Sequence, residues 1–146
     1  MITARDILKA KGYSDIYSVG PEDSVFSALQ LMMEKNIGAV MVTENGKLVG
    51  VLSERDYARK IVLAGKSSRE TKVKEIMTSK VHGVKVNTTV EECLAIITAN
   101  FIRHLPVFDG DKLVGLISVG NVVKSIISEQ EVMIKHLQDY ITGTYV

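Results

Sequence analysis

The sequence predicts an α/β (α+β) fold of two β-α-β-β-α repeats related by pseudo-twofold symmetry, with a helix before them and a long helix after them. A shift of 65 residues superimposes 19–62 on 84–127 without a gap, and 11 of the 44 aligned pairs are identical. The hydrophobic pattern is kept on both sides of a shared Lys-Leu-Val-Gly block. Because a unit this short is marginally stable alone, we expect the two copies to pack together, with clefts between them.

The composition is that of an ordinary globular chain, and it argues against several classes of function. Apolar residues make up 46% and charged residues 24%, and a net charge of +1 is too low for binding nucleic acid through phosphate neutralisation. No apolar run reaches the length of a membrane span, and the first residues lack the hydrophobic segment of a secretion signal. Cys93 is the single cysteine, and the histidines lack metal-site spacing. We therefore expect a cytoplasmic protein without a metal, nucleic-acid or membrane partner.

An N-terminal helical segment, residues 1–15, precedes the first repeat. Thr3 is placed to cap a helix from Ala4 to Lys11, which Gly12 would end. A linker, residues 67–82, contains one helical turn from Val73 to Met77. The predicted division of the rest is 16–66 for the first repeat, 83–127 for the second and 128–146 for a C-terminal helical extension.

Each repeat begins with a short strand followed by an amphipathic helix. The strands are predicted from Ile16 to Val19 and from Val84 to Val86, with Ser24 and Thr89 as helix caps. The side chains predicted on the buried faces of the two helices are Val25, Leu29, Met32 and Met33, and Val90, Leu94, Ile97 and Phe101. Cys93 lies on the same face and is interpreted as a small core residue.

A hairpin and a second helix complete each repeat. The hairpin turns each carry glycine beside Asn or Asp, which favours tight turns. The predicted strands are Ala39 to Thr43 with Leu48 to Ser53, and Leu105 to Phe108 with Leu113 to Ser118. The second helix starts at the final serine of each pair.

The last helix continues beyond the second repeat with apolar residues that alternate at spacings of four and three. These positions, with Gln130 as a polar break, are Val123, Ile127, Gln130, Ile134, Leu137 and Ile141. The pattern is that of a heptad seam. The helix would either cover the chain's own sheet or form a homodimer contact.

The junction between the last strand and the second helix carries the most informative motif. Gly-x-x-Ser-x-x-Asp runs from Gly50 to Asp56, and the second repeat ends the same motif with Asn121. A helix start favours an anion, and a carboxylate in its first turn can accept hydrogen bonds from both hydroxyls of a ribose. Ser53 and Asp56 also fit a capping box, which needs no ligand. Both interpretations stay open at this point.

The second repeat has Arg103 and His104 where the first has Gly38 and Ala39. Two cationic or polar side chains at the mouth of a strand suggest phosphate recognition. The alternatives are an exposed arginine without a role and a core histidine.

The paired repeats, both strand-to-helix junctions, the linker from Val73 to Thr78 and the strand from Arg103 to Val107 resemble tandem CBS domains, which form the Bateman module. The resemblance covers about residues 4–127, and the stretch from Ser53 to Lys60 is similar to small stand-alone bacterial and archaeal members. It implies binding of an adenosyl ligand between the repeats: AMP, ADP or ATP, or in some members NAD or S-adenosylmethionine.

The resemblance also implies which residues form the first cleft. Asp56 would hold the ribose, Arg103 and His104 would face phosphate with Ser53, and apolar groups would sandwich the adenine. The implied set is Ser53, Arg55, Asp56, Gly83, Val84, Lys85, Ile102, Arg103 and His104.

A second cleft follows from the same resemblance, but it departs from the family pattern. The amide of Asn121 has one acceptor oxygen, and Gly38 and Ala39 supply no charge for phosphate. We therefore predict that the two clefts are unequal and that the second is weaker. Its implied residues are Tyr17, Ser18, Ile37, Gly38, Ala39, Ser118 and Asn121.

The predicted function is a regulatory sensor that binds an adenine nucleotide and relays its occupancy to a partner protein, as a homodimer. It is not expected to be an enzyme, because the sequence has no phosphate-loop signature, metal-ligand cluster or Ser-His-Asp arrangement. The alternative is a structural interaction or dimerisation protein in which the Ser-x-x-Asp motifs act only as caps.

Overall fold

A computed structural model of the chain describes residues 1–11 and 16–143. Two three-stranded sheets form two lobes, one from each repeat, which confirms the predicted fold class. In each lobe a two-residue strand pairs in parallel with the first strand of an antiparallel hairpin. The elements in chain order are α1 (Ala4–Ala10), β1 (Ser18–Val19), α2 (Val25–Lys35), β2 (Ala39–Glu44), β3 (Lys47–Ser53), α3 (Glu54–Tyr57), α4 (Val73–Ile76), β4 (Val84–Lys85), α5 (Val90–Asn100), β5 (His104–Asp109), β6 (Lys112–Ser118) and α6 (Val119–Thr142). A π-helical turn, Ala58–Val62, continues α3.

The two hairpins have the same register, including a shift in pairing at the equivalent position. As a result the serine that ends each hairpin lies opposite the start of the neighbouring strand: Ser53 pairs with Ala39, and Ser118 pairs with His104. Each serine then caps the helix that follows. The register therefore places both Ser-x-x-Asp/Asn junctions at the same end of their sheets.

The helices α1 and α4 occupy equivalent places, although both lie outside the aligned repeats. The amide of Ala4 donates to the carbonyl of Thr88 at 2.8 Å, and the amide of Val73 donates to the carbonyl of Asp23 at 2.8 Å. The helix α1 thus packs on the second lobe and α4 on the first. Each lobe is completed by the segment that precedes the other repeat, which ties the two lobes together.

Each lobe has its own hydrophobic core. Buried residues of the first are Val25, Ala28, Met32, Val40, Val42, Leu52, Ile61, Val73 and Ile76. Buried residues of the second are Ala4, Ile7, Leu8, Val84, Val90, Cys93, Ile97, Leu105, Val107, Ile117 and Val122. The core position predicted for Cys93 is confirmed, and burial raises the pKa of its thiol to about 11.

Two side chains predicted on buried helix faces are exposed, so those predictions were wrong. Met33 is 79% exposed because the buried stripe of α2 passes through Met32, and the next residue is rotated by about 100°. Phe101 is 90% exposed because α5 ends before it, and its φ of +53° turns the chain out of the helix. Asn36 ends α2 with the same φ.

The predicted N-terminal helix and linker turn are both present, and each is one residue shorter than expected. The helix α1 ends at Ala10 with Lys11 as its C-cap, and α4 ends at Ile76. Gly12, predicted to end the first helix, lies outside the described residues.

The helix α6 is 24 residues long, and Val122 is its one buried residue. The apolar side chains beyond the lobe are 49–81% exposed: Ile127, Val132, Met133, Ile134, Leu137, Tyr140 and Ile141. The interpretation that this helix covers the chain's own sheet is therefore wrong for 127–141. In the described part of the chain, no helix combines the length and the apolar character that a bilayer crossing requires.

Candidate functional site

A cleft of about 690 Å³ lies where the two lobes meet, and we call it the first cleft. Its volume is within the range of small-molecule sites. Six of the nine predicted residues line it: Ser53, Arg55, Asp56, Ile102, Arg103 and His104. The further lining residues are Gly38, Val51, Glu54, Arg59, Thr78, Lys80, Val81, His82 and Phe101.

Gly83, Val84 and Lys85 do not line the first cleft, contrary to the sequence prediction. Val84 is 4% exposed and packs in the core of the second lobe, and a Cβ built on Gly83 would lie 2.7 Å from the Phe108 ring. The chain contributes its preceding residues instead, including His82. The 65-residue shift pairs His82 with Tyr17, so the repeat itself carried a signal for this position.

Asp56 makes the capping box and also faces the first cleft. Its Oδ2 accepts hydrogen bonds from the amide of Ser53 at 3.0 Å and the hydroxyl of Ser53 at 3.1 Å. Its own amide donates to the Ser53 Oγ at 3.1 Å. The side chain is 15% exposed. The capping box is therefore formed in the structure, and it uses one of the two carboxylate oxygens of Asp56.

The other carboxylate oxygen connects Asp56 to the linker through Lys60. The Lys60 Nζ lies 3.2 Å from Oδ1 of Asp56 and donates to the carbonyl of Ile76 at 2.8 Å. Ile76 ends α4, and Thr78 just beyond it exchanges two backbone hydrogen bonds with Val51 of β3. Lys60 thus connects Asp56 to the segment that joins the lobes.

Arg103 and His104 enter the first cleft from the second lobe. The carbonyl of Arg103 accepts a hydrogen bond from the amide of Val119 at 2.8 Å, which anchors it beside the start of α6. Burial lowers the pKa of His104, and the nearby charges of Lys11 and Arg103 lower it further, whereas Asp56 acts in the opposite direction. His104 is therefore a neutral imidazole near pH 7, in which one ring nitrogen donates a hydrogen bond and the other accepts one.

Arg59 and Lys80 are cations of the first cleft that the sequence analysis missed. Arg59 lies in the π-helical turn after α3, and Lys80 lies in the linker beyond α4. Arg59 lies within the stretch from Ser53 to Lys60 that resembles stand-alone members, but the resemblance gave it no role in the site, and Lys80 belongs to no motif. Among the described residues, no group of three or more His, Cys, Asp or Glu side chains is placed to hold a metal ion.

A second cleft of about 400 Å³ lies on the other side of the junction between the lobes. Of its predicted residues, Tyr17, Ile37, Gly38, Ala39, Ser118 and Asn121 line it. Ser18, the first residue of β1, does not line it, whereas Tyr17 just before the strand does. Asn121 caps its helix as Asp56 does, with its Oδ1 2.8 Å from the amide of Ser118.

The second cleft contains cations that the sequence analysis did not predict. Lys11 and Lys35 line it, so positive charge is present in this cleft although Gly38 and Ala39 supply none. Both are already engaged: the Lys11 Nζ donates to the carbonyl of Leu116 at 2.8 Å, and the Lys35 ammonium lies 5.2 Å from the centre of the Tyr17 ring. Burial lowers the pKa of Lys11. His104 and Gly38 line both clefts and form the wall between them.

The duplicated lobes and the paired junctions correspond to a known family. A family model described as CBS domain matches the chain twice, over 13–63 and 73–128. The chain belongs to the CBS-domain family. It is a CBS-domain pair, a regulatory module of the kind that generally binds adenosyl ligands, and the resemblance inferred from the motifs is confirmed.

Similar proteins include chains of nearly the same extent. A solved CBS-domain protein from Burkholderia ambifaria is 48% identical with a TM-score of 0.83, covering 88% of this CBS pair and 96% of that chain. The mitochondrial CBS domain-containing protein CBSX3 of Arabidopsis thaliana is 37% identical over 151 residues, covering 98% of this chain and 73% of the relative. The inosine-5'-monophosphate dehydrogenase of Methanocaldococcus jannaschii is 31% identical over 112 residues, which are 75% of this chain but 21% of that enzyme.

Proposed function

We propose that this CBS pair is a regulatory sensor that binds an adenine nucleotide in the first cleft and relays its occupancy to a partner protein. One observation carries the proposal: a single cleft joins a carboxylate in a first helical turn to cations from the opposite lobe. A ribose diol is recognised by acceptors and a phosphate by cations or a helix start. AMP, ADP, ATP and NAD share the adenosine for which this set of groups is suited.

The contacts of Asp56 suggest how occupancy is relayed. A ribose hydroxyl that binds Oδ1 of Asp56 competes with Lys60, which also holds the carbonyl of Ile76. Nucleotide binding then loosens the tie between α3 and the linker. Such a switch requires that the nucleotide bind one arrangement of the linker more tightly than the other.

The proposed sensor acts as a homodimer through α6. Its exposed seam has isoleucine at three successive a positions, Ile127, Ile134 and Ile141, with Leu137 at a d position. In parallel coiled coils this combination favours two strands. In a parallel pair Gln130 contacts its own copy, so each amide has a polar partner, which sets the register of the two helices.

A cytoplasmic location stays a prediction, and the Arabidopsis relative is named as mitochondrial.

The substitution Asp56→Asn tests the ribose contact without removing the cap, because Asn121 makes the same capping box. We expect Asp56→Asn to weaken the binding of AMP or ATP by about 1–3 kcal/mol, the range of a charged hydrogen bond. Isothermal titration calorimetry measures the affinity and the number of sites. Asn121→Ala in the second cleft is the matched control, and it should leave the tighter site unchanged.

Two equally tight sites, or a loss of the tighter site in Asn121→Ala but not in Asp56→Asn, would contradict the assignment.

A second candidate function is a structural dimerisation protein, which the two complete capping boxes favour. Thermal melting distinguishes the two candidates, because a ligand of the native state raises the melting temperature. The absence of a shift with any adenosyl compound at millimolar concentration would favour the structural role.

A further inference from the structure

The first cleft carries more positive charge than a single phosphate group needs. Four cationic side chains line it: Arg55, Arg59, Lys80 and Arg103. Within residues 1–11 and 16–143, the ion pairs between side chains include none of these four. Asp56 is neutralised by Lys60, so Glu54 is the lining carboxylate that opposes them.

These cations are spread around the cleft and come from three parts of the chain. Arg55 and Arg59 lie about one turn apart after β3, Lys80 lies in the linker, and Arg103 precedes β5 in the other lobe. A phosphate monoester carries about −1.5 to −2 charges at pH 7, and one such group contacts only part of this surface. A chain of phosphates is long enough to meet several of the cations at once.

We propose that the first cleft selects adenosine with two or more phosphates over AMP, and that Arg59 and Lys80 recognise the phosphates farthest from the ribose. This inference rests on the proposed function and names the ligand class of the same site. The internal repeat supports a specific role for Arg59. Its counterpart in the second repeat is Lys124, which lines neither cleft. Arg59 therefore lines the cleft although the equivalent position of the second repeat does not. Lys124 has the same charge outside both clefts, so it serves as a control.

Calorimetric titration of the full chain with adenosine, AMP, ADP and ATP tests the proposal, in buffer with EDTA so that Mg²⁺ does not neutralise the phosphates. We expect ATP and ADP to bind at least about fivefold more tightly than AMP. Arg59→Gln and Lys80→Gln should each weaken ATP binding by about 3- to 10-fold, and AMP binding by less than about twofold. Lys124→Gln is the control for a general loss of positive charge, and it should change neither affinity.

The outcomes separate this inference from the proposed function. If AMP binds as tightly as ATP while Asp56→Asn still weakens both, the inference on phosphate number is wrong and the nucleotide site stands. The inference is also overturned if Lys124→Gln weakens ATP binding as much as Arg59→Gln. If no nucleotide binds, the proposed function itself fails. Melting curves of each variant without ligand show whether a loss of affinity comes from a loss of folding.

Discussion

The carboxylate of Asp56 shows how one residue can belong to both a fold and a site. From the sequence, the Ser-x-x-Asp spacing was compatible with a helix cap or with a ribose contact. In the structure, Oδ2 caps α3 while Oδ1 faces Lys60. Because a carboxylate has two oxygens with several lone pairs, the two roles do not exclude each other. Asn121 has the oxygen for the cap but lacks the second oxygen for the diol.

His104 predicts a pH dependence of stability. Burial, Lys11 and Arg103 lower its pKa in the folded protein, and the opposing effect of Asp56 is smaller. Between that lowered pKa and the unfolded value of about 6.5, the unfolded chain binds more protons, so folding becomes less favourable as the pH falls. The free energy of unfolding should therefore decrease as the pH falls through the unfolded value of about 6.5, and His104→Gln should reduce this decrease. Urea unfolding across this pH range is the measurement.

His136 provides the control for that experiment, because its side chain lies exposed on α6. His136→Gln should keep the pH dependence of the wild type. Identical pH profiles for the wild type and His104→Gln would show that the buried imidazole does not cause the effect.

Among the elements, the short helices α1 and α4 depend on a glycine that both repeats share. A Cβ built on Gly50 would lie 2.6 Å from the sulfur of Met77 and 2.9 Å from the carbonyl oxygen of Thr78. A Cβ built on Gly115 would lie 2.7 Å from a methyl group of Leu8. The glycine of the Gly-x-x-Ser motif therefore lets a helix from outside the repeat approach the hairpin.

Gly50→Ala should destabilise the protein by about 1–3 kcal/mol, the usual cost of overpacking, because the backbone of Thr78 cannot move away easily. Gly120→Ala is the matched control. Its nearest neighbour would be the Ser118 hydroxyl at 3.6 Å, and alanine favours the helix there, so stability should stay the same or rise slightly. Urea unfolding measures both changes. If Gly50→Ala unfolds at the wild-type urea concentration, the close approach seen here does not constrain the fold.

For the whole molecule, the proposed homodimer depends on the exposed seam on α6. Ile134 on the seam and Val132 off it are 54% and 55% exposed. Because their exposure in the single chain is nearly equal, substitution at either position has a similar effect on the monomer. A difference between the two substitutions in dimer affinity therefore reports on the interface rather than on folding.

Ile134→Asp should raise the dissociation constant of the homodimer at least tenfold, which corresponds to about 1.4 kcal/mol, because it places a charge in the seam. Val132→Asp should leave the dimer intact. Sedimentation equilibrium at micromolar concentrations measures the association. A monomeric wild type, or equal weakening by both substitutions, would contradict assembly through α6.

The sequence was sufficient for features that depend on neighbouring residues. Spacings of a few residues predicted the helix caps at Ser24 and Thr89, the strand-to-helix junctions and the buried Cys93. Because the repeat aligns without a gap, the buried face of each strand could be predicted from both copies. Met33 was misplaced because the buried stripe of α2 passes through Met32 and not through its neighbour. Phe101 was misplaced because hydrophobic spacing does not show that α5 ends before it in the left-handed conformation.

Residue spacing was enough to predict two similar lobes, their order of strands and helices, and the paired serine junctions. The three-dimensional packing decided which distant side chains share a cleft. Lys80, Arg59 and Arg103 line one cleft, Lys11 reaches Leu116, and Val84 packs in a core with residues of α1. Such neighbours are far apart in the chain, and their positions depend on the packing of whole surfaces rather than on any local pattern of residues.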